Sequence, residues 1–146
     1  NAAPGGTVVF QNVDDLTVGT VGAGHSFPTL NTVFGTTAGV VTSGGDIELV
    51  AGSAGTGFLS ITERIATGGA GTTANTVRLT AYGDITQTAA GTITTGTLGV
   101  QQAGTSTTAA YQIELDDAND IVTLAAVNAS AGGTVVSSGV HSSRFV

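Results

Sequence analysis

The sequence is built from short runs of apolar and β-branched residues, and turns rich in glycine separate one run from the next. Within the runs, apolar residues alternate with polar ones, which is the period of a half-buried strand. The pattern lacks the spacing of about 3.6 residues that marks an amphipathic helix. The 23 glycines and 2 prolines among 146 residues exclude a collagen-like repeat and place turns between strands. The chain is therefore predicted to be all-β.

We predict strands at residues 7–10, 16–21, 40–42, 47–50, 58–62, 77–81, 85–88, 92–94, 98–101, 112–115 and 121–125. An aspartate followed by a branched apolar residue stands at the start of four of them: Asp15-Leu16, Asp46-Ile47, Asp84-Ile85 and Asp120-Ile121.

Large apolar residues recur along the sequence at intervals of about 19 residues. Two series show it: Ile47, Ile65 and Ile85, and Leu59, Leu79, Leu98 and Leu115. In a chain rich in β-formers, this spacing predicts a β-solenoid whose parallel strands stack in coils of about 19 residues. An antiparallel β-sandwich is the alternative, because strands that recur about every 8 to 12 residues fit it as well.

The start of the chain is repeated near its end. Residues 1–9 return as residues 128–136 with seven of nine positions identical, so residues 128–146 repeat the start of the unit at residues 1–19. One long unit followed by the beginning of another is typical of a tandem array or a head-to-tail fibre. We predict a single β-solenoid domain over residues 1–146.

Two segments carry a family resemblance. Residues 77–100 read Val-Arg-Leu-Thr-Ala-Tyr-Gly-Asp-Ile-Thr-Gln-Thr-Ala-Ala-Gly-Thr-Ile-Thr-Thr-Gly-Thr-Leu-Gly-Val, and residues 115–126 read Leu-Asp-Asp-Ala-Asn-Asp-Ile-Val-Thr-Leu-Ala-Ala. Both resemble the long repeats of bacterial filamentous haemagglutinin-like exoproteins. The resemblance implies a right-handed parallel β-helix within a very large adhesin or matrix protein that is secreted or attached to the cell surface.

The charge of the chain excludes several kinds of partner. Three arginines and no lysine stand against ten acidic residues, which gives a net charge of −7. Nucleic acid is not an expected partner, because binding a phosphate backbone needs a clustered basic face. Membrane insertion is not expected either, since no run approaches the roughly 20 apolar residues of a spanning helix.

Few residues are candidates for metal binding or catalysis. Asp116, Asp117, Asn119 and Asp120 are the best candidate for a calcium site, with Asx turns as the competing explanation. No other cofactor is expected. No catalytic residues are predicted, because no acid–base pair or triad is recognisable and the chain has no lysine to assist a carboxylate in cleaving polysaccharide.

The repeated ends predict association between copies of the chain, head to tail. A solenoid exposes unpaired backbone groups at its first and last coils, and both ends here carry Gly-Gly-Thr-Val-Val instead of a polar cap. The function expected is that of a structural extracellular protein that stacks into a filament. The residues predicted to form the contact are Thr7, Val8, Val9, Asp14 and Asp15 at one end, and Thr134, Val135, Val136, His141 and Arg144 at the other.

A binding module is the alternative function. Residues 22–39 break the strand pattern and are predicted to be an inserted loop containing His25, Phe27 and Phe34. Exposed aromatic rings stack on sugars, so this loop is the expected site if the chain binds surface glycans or a receptor.

Overall fold

The computed structural model describes residues 5–25, 33–53, 55–68 and 75–139. These residues contain strands and turns but no helix, and so no helix there is long and apolar enough to cross a membrane. The strands are β1 (Val8–Asn12), β2 (Leu16–Val18), β3 (Thr20–Val21), β4 (Gly24–His25), β5 (Val33–Phe34), β6 (Thr37–Ala38), β7 (Val40–Val41), β8 (Ile47–Ala51), β9 (Leu59–Ile61), β10 (Ile65–Ala66), β11 (Thr76–Ala81), β12 (Ile85–Gln87), β13 (Ile93–Gln102), β14 (Gln112–Leu115), β15 (Asp120–Asn128) and β16 (Thr134–Ser137).

Most of these strands belong to two parallel sheets. The first sheet has the main order β1-β8-β11-β13-β15, with β10 and then β7 branching from β13, and the second sheet has the order β2-β9-β12-β14-β16. All the neighbouring pairs in these two series are parallel. The prediction of an all-β chain with parallel strands is confirmed, and the antiparallel sandwich is wrong.

β13 bends the first sheet. It joins two segments that the sequence predicts as separate strands, residues 92–94 and 98–101. Its first residues, Ile93 and Thr94, pair with β10, whereas residues 97–102 pair with β11. Because β13 pairs with β10 at its start and with β11 along the rest of its length, the parallel sheet curls around the apolar interior.

The coil length predicted from the apolar series is wrong. Residues that pair are further apart along the chain, and by unequal steps: Ile47 pairs with Val77, and Val77 pairs with Leu98. The isoleucines that form one regular series in the sequence lie on strands that are not neighbours in a sheet. Ile47, Ile65 and Ile85 belong to β8, β10 and β12, which do not pair with one another.

Register between neighbouring strands aligns equivalent side chains in columns. In the first sheet, Ile47, Val77 and Leu98 are successive partners, and each is completely buried. In the second sheet, Leu59, Ile85 and Ile113 form a similar buried column. Because residues alternate between the two faces of a strand, the inward columns of both sheets form one core.

The segment predicted as an inserted loop contains antiparallel pairs in its described part. β3 pairs with β6, and β4 pairs with β5, so the two arms of this segment run side by side outside the parallel sheets. Residues 26–32 lie outside the described part of the chain.

A Gly-Gly turn explains why the two ends share a sequence. Gly5, Gly44 and Gly132 each precede a second glycine, and their φ angles are 75°, 89° and 72°. Side chains are disfavoured at these angles, so glycine suits the turn that leads into a strand. The shared Gly-Gly-Thr-Val-Val therefore forms the same turn and strand start in β1 and β16, although β1 lies in the first sheet and β16 in the second.

Replacing one residue of a buried column tests this packing. Ile85→Ala removes a side chain that lies between Leu59 and Ile113, and we expect it to lower the free energy of unfolding by about 2–5 kcal/mol. Thr86→Ala, on the outward face of the same strand, is the control and should cost no more than about 0.5 kcal/mol. Urea denaturation measures both, and equal losses would contradict the assignment of the inward face.

Candidate functional site

Each end of the parallel sheets exposes strand edges. Among the described residues, β1 pairs only with β8 and β2 only with β9, which defines the first end of the molecule. At the second end, the only strand paired with β15 is β13 and the only one paired with β16 is β14, although among the described residues the N–H of Ile121 in β15 also donates to the carbonyl oxygen of Gly139. An edge strand presents backbone N–H and C=O groups that another strand can pair with.

Exposed apolar side chains concentrate at these two ends. Val9 and Phe10 of β1, together with Val13, are 50 to 67% exposed at the first end. Val127 of β15 and two valines of β16 are 44 to 59% exposed at the second end. These six make up most of the eight large apolar residues found exposed in the described chain, so the apolar surface coincides with the strand edges.

The core is open at the first end. A cavity of about 280 Å³ is bordered there by Val8, Phe10, Leu16, Val18 and Val40, among other residues. Val8, Leu16 and Val40 are only half-buried, whereas their partners Ile47, Leu59 and Ile65 are completely buried. The open cavity shows that the described residues leave the first layer of the core without a cover.

The structure places most of the predicted contact residues at the two ends. Val8 and Val9 belong to β1, with Thr7 directly before it, and the group Thr134, Val135 and Val136 belongs to β16. Asp14 is exposed. His141 and Arg144 lie outside the described residues.

Three aspartates, each directly before a strand, accept hydrogen bonds from the neighbouring strand of the same sheet. The Oδ1 atoms of Asp15, Asp46 and Asp84 accept hydrogen bonds of 2.8 to 2.9 Å from backbone N–H groups. The donors are, respectively, Phe58, Thr76 and Gln112, which lie at or just before the start of the paired strand. All three bonds point towards the second end. The sequence signal was the aspartate before a branched apolar residue, but sequence reasoning missed this role.

The predicted calcium ligands are not gathered around a common point. Asn119 is buried, and its Oδ1 atom accepts hydrogen bonds from Gln87 Nε2 at 2.6 Å and from the backbone N–H of Ile93 at 2.9 Å. Asp116 is exposed. The described residues contain no group of three or more acidic or histidine side chains that could hold a metal ion. Calcium binding by Asp116, Asp117, Asn119 and Asp120 stays a prediction.

The alternative ligand loop is described only in part. His25 lies in β4 and pairs with Val33, while Phe34 lies in β5 and pairs with Gly24. Phe27 lies outside the described residues. Glycan or receptor binding by this segment also stays a prediction.

A shallow opening of about 400 Å³ lies on the outer face of the first sheet. Arg78, Thr80, Gln101 and Val127 border it, and Gly99 leaves space between its neighbours because it has no side chain. Sequence reasoning did not single out this surface.

Compared with known proteins, the chain matches no protein-family model, no curated protein and no solved structure.

The aspartate bonds predict a specific loss of stability. Asp84→Ala leaves the N–H of Gln112 without its 2.8 Å acceptor and, because this hydrogen bond is exposed and water replaces part of it, should lower the free energy of unfolding by about 1 kcal/mol. Asp84→Asn keeps an oxygen acceptor and should recover part of the loss. Asp116→Ala, which removes the same charge from an exposed position, should change stability by about 0.5 kcal/mol at most. Equal effects of Asp84→Ala and Asp116→Ala in thermal denaturation would contradict the role given to Asp84.

Proposed function

We propose that this chain is a non-enzymatic structural unit whose parallel sheets continue into a neighbouring unit at each end, so that units stack into a filament or rod. The observation that carries the proposal is the coincidence of unpaired strand edges, exposed apolar residues and an open core at the first end, with matching edges and exposed valines at the second.

The right-handed parallel β-helix is part of this proposal. The chain passes from the first sheet to the second five times, in the order β1 to β2, β8 to β9, β11 to β12, β13 to β14 and β15 to β16. Each return adds a strand beside an earlier one. Connections between parallel strands of one sheet are right-handed in about 98% of cases, which supports a right-handed winding.

The balance of forces at the ends supports stacking. An isolated solenoid needs polar, irregular caps, since uncovered edges invite pairing with another chain. Here the exposed edge residues that face inward include Phe10 and Val135, and covering them removes apolar surface from water at roughly 25 cal/mol per Å². The net charge of −7 on each unit opposes contact. At physiological salt, exposed charges more than about 8 Å apart are largely screened.

The setting of this function is proposed from the family resemblance. Residues 77–100 and 115–126 resemble repeats of filamentous haemagglutinin-like exoproteins, so the unit is proposed to act outside the cell or at its surface, within an adhesin or matrix filament. Neighbouring units would be repeats of one long polypeptide or separate copies of the chain. The contact between units is the same in both cases.

A charge placed at the second end tests the proposal. Val135 is the partner of buried Ile113 and faces inward, whereas Val136 is the partner of exposed Glu114 and faces outward. Both valines are about half-exposed in the single unit. Val135→Lys would bury an ammonium group in the contact, so we expect it to abolish assembly, while Val136→Lys, with the same added charge, should assemble like the unchanged chain.

Sedimentation velocity over a range of protein concentrations, at about 0.15 M salt, measures assembly, with electron microscopy of the same samples to show the particles. Circular dichroism checks that both variants keep the fold. Single particles of one unit at every concentration of the unchanged chain would overturn the proposal, as would equal assembly of the two variants.

A further inference from the structure

We infer that the contact between two copies has one register, which the columns of the first sheet define: Leu124 of one copy lies beside Val8 of the next, Ala126 beside Phe10, and Asn128 beside Asn12. This inference rests on the proposed function, since it specifies how the second end of one copy meets the first end of another. The partner is a second copy of this chain.

The register follows from columns that already cross the whole sheet. Starting at Val8, the successive partners are Ile47, Val77, Leu98 and Leu124. Starting at Phe10, they are Leu49, Leu79, Val100 and Ala126. If a second copy is added with its β1 beside residues 124–128 of β15, where no second strand pairs among the described residues, each column continues without a step. A slip by one residue would turn the inward side chains outward, which the buried core does not tolerate.

Side-chain size opposes a slip by two residues. Phe10 is half-exposed in the single copy although it shares a column with buried Leu49. Its counterpart at the other end of that column, Ala126, is small and half-buried, so a phenyl ring can lie beside it. Slips by two residues instead place Phe10 beside Leu124, which crowds the core, or beside Asn128, whose amide is polar.

Polarity selects the same register. Asn12 and Asn128 stand at the two ends of a third column, with Ala51, Ala81 and Gln102 between them. Gln102 is buried and donates hydrogen bonds to the carbonyl oxygens of Tyr82 and Gly104, so this column holds amide side chains in the interior. Within one copy the Nδ2 group of Asn128 donates to the carbonyl oxygens of Tyr111 and Thr134, and that of Asn12 donates to the carbonyl oxygen of Asp15. The inferred register therefore places one satisfied amide beside another instead of against an apolar side chain. A slip by two residues would move Asn12 against the apolar column of Ala126 or beyond the end of β15.

The second sheet agrees with the first. Leu16, Leu59, Ile85, Ile113 and Val135 are successive partners from β2 to β16. Continuing this column places Val135 of one copy beside Leu16 of the next, over the open cavity of about 280 Å³. Val135 and Leu124 then cover the cavity that the described residues of a single copy leave open.

Pairs of engineered cysteines test the register in a chain that contains no cysteine of its own. Val9 and Ala125 are the first and last residues of a column that faces outward. In the inferred contact, Val9 of one copy and Ala125 of the next are therefore direct neighbours, with their Cα atoms one strand spacing of about 4.8 Å apart. This distance lies within the range for a disulfide. Inside one copy they are four spacings apart, about 19 Å, which prevents an internal bond. The matched control pairs Val9→Cys with Val127→Cys, which the same register holds about 8 Å apart.

Air oxidation of the assembled protein, followed by a non-reducing gel, reports the result. The chain with Val9→Cys and Ala125→Cys should give a ladder of linked copies that a reductant removes, and the control should give none. A ladder from the control alone, equal ladders from both, or no ladder from either while sedimentation shows assembly would overturn the register and leave the proposed function intact. Failure of the unchanged chain to assemble in sedimentation would overturn both.

Discussion

Backbone pairing between parallel strands is the interaction on which the rest of this structure depends. β8 pairs with β1 on one side and with β11 on the other, and this pattern repeats across both sheets. Because the pairing is in register, equivalent side chains stack, and the inward columns become a continuous apolar core. The aspartates before β2, β8 and β12 add a second link between neighbouring strands, since each carboxylate accepts a hydrogen bond from the backbone at the start of the strand that follows in the sheet.

The same pairing creates the two ends. A strand in the middle of either sheet has strand partners on both sides, but among the described residues β1, β2, β15 and β16 have a strand partner on one side only. The first layer of the core is correspondingly incomplete, and Val8 and Leu16 border an open cavity. In the proposed filament, another copy would supply what both ends lack, which is one more strand per sheet and one more apolar layer. Growth along the sheets is therefore the association that we propose for this architecture.

Local features of the sequence predicted much of the fold. Alternating apolar residues located strands such as β8 and β14, and glycine-rich turns separated them. The length of the chain between paired strands was not predictable from apolar spacing, because Ile47, Ile65 and Ile85 look equivalent in sequence yet lie on strands that do not pair. The repeated Gly-Gly-Thr-Val-Val was visible, but it reflects a turn and a strand start that occur in two different sheets. Asp84 was visible too, although its acceptor role depends on a residue 28 positions away.

Hydrogen exchange at the first edge strand tests the central claim most directly. The N–H of Val8 donates to the carbonyl oxygen of Asp46, so the alternating amides of Val9 and Gln11 face away from β8. Continuation of the sheet into another copy predicts that these two amides exchange quickly in dilute protein and become as protected as those of β11 once the protein assembles. Fast exchange at Val9 and Gln11 in fully assembled protein would contradict the account, because the copies would then associate without joining their sheets.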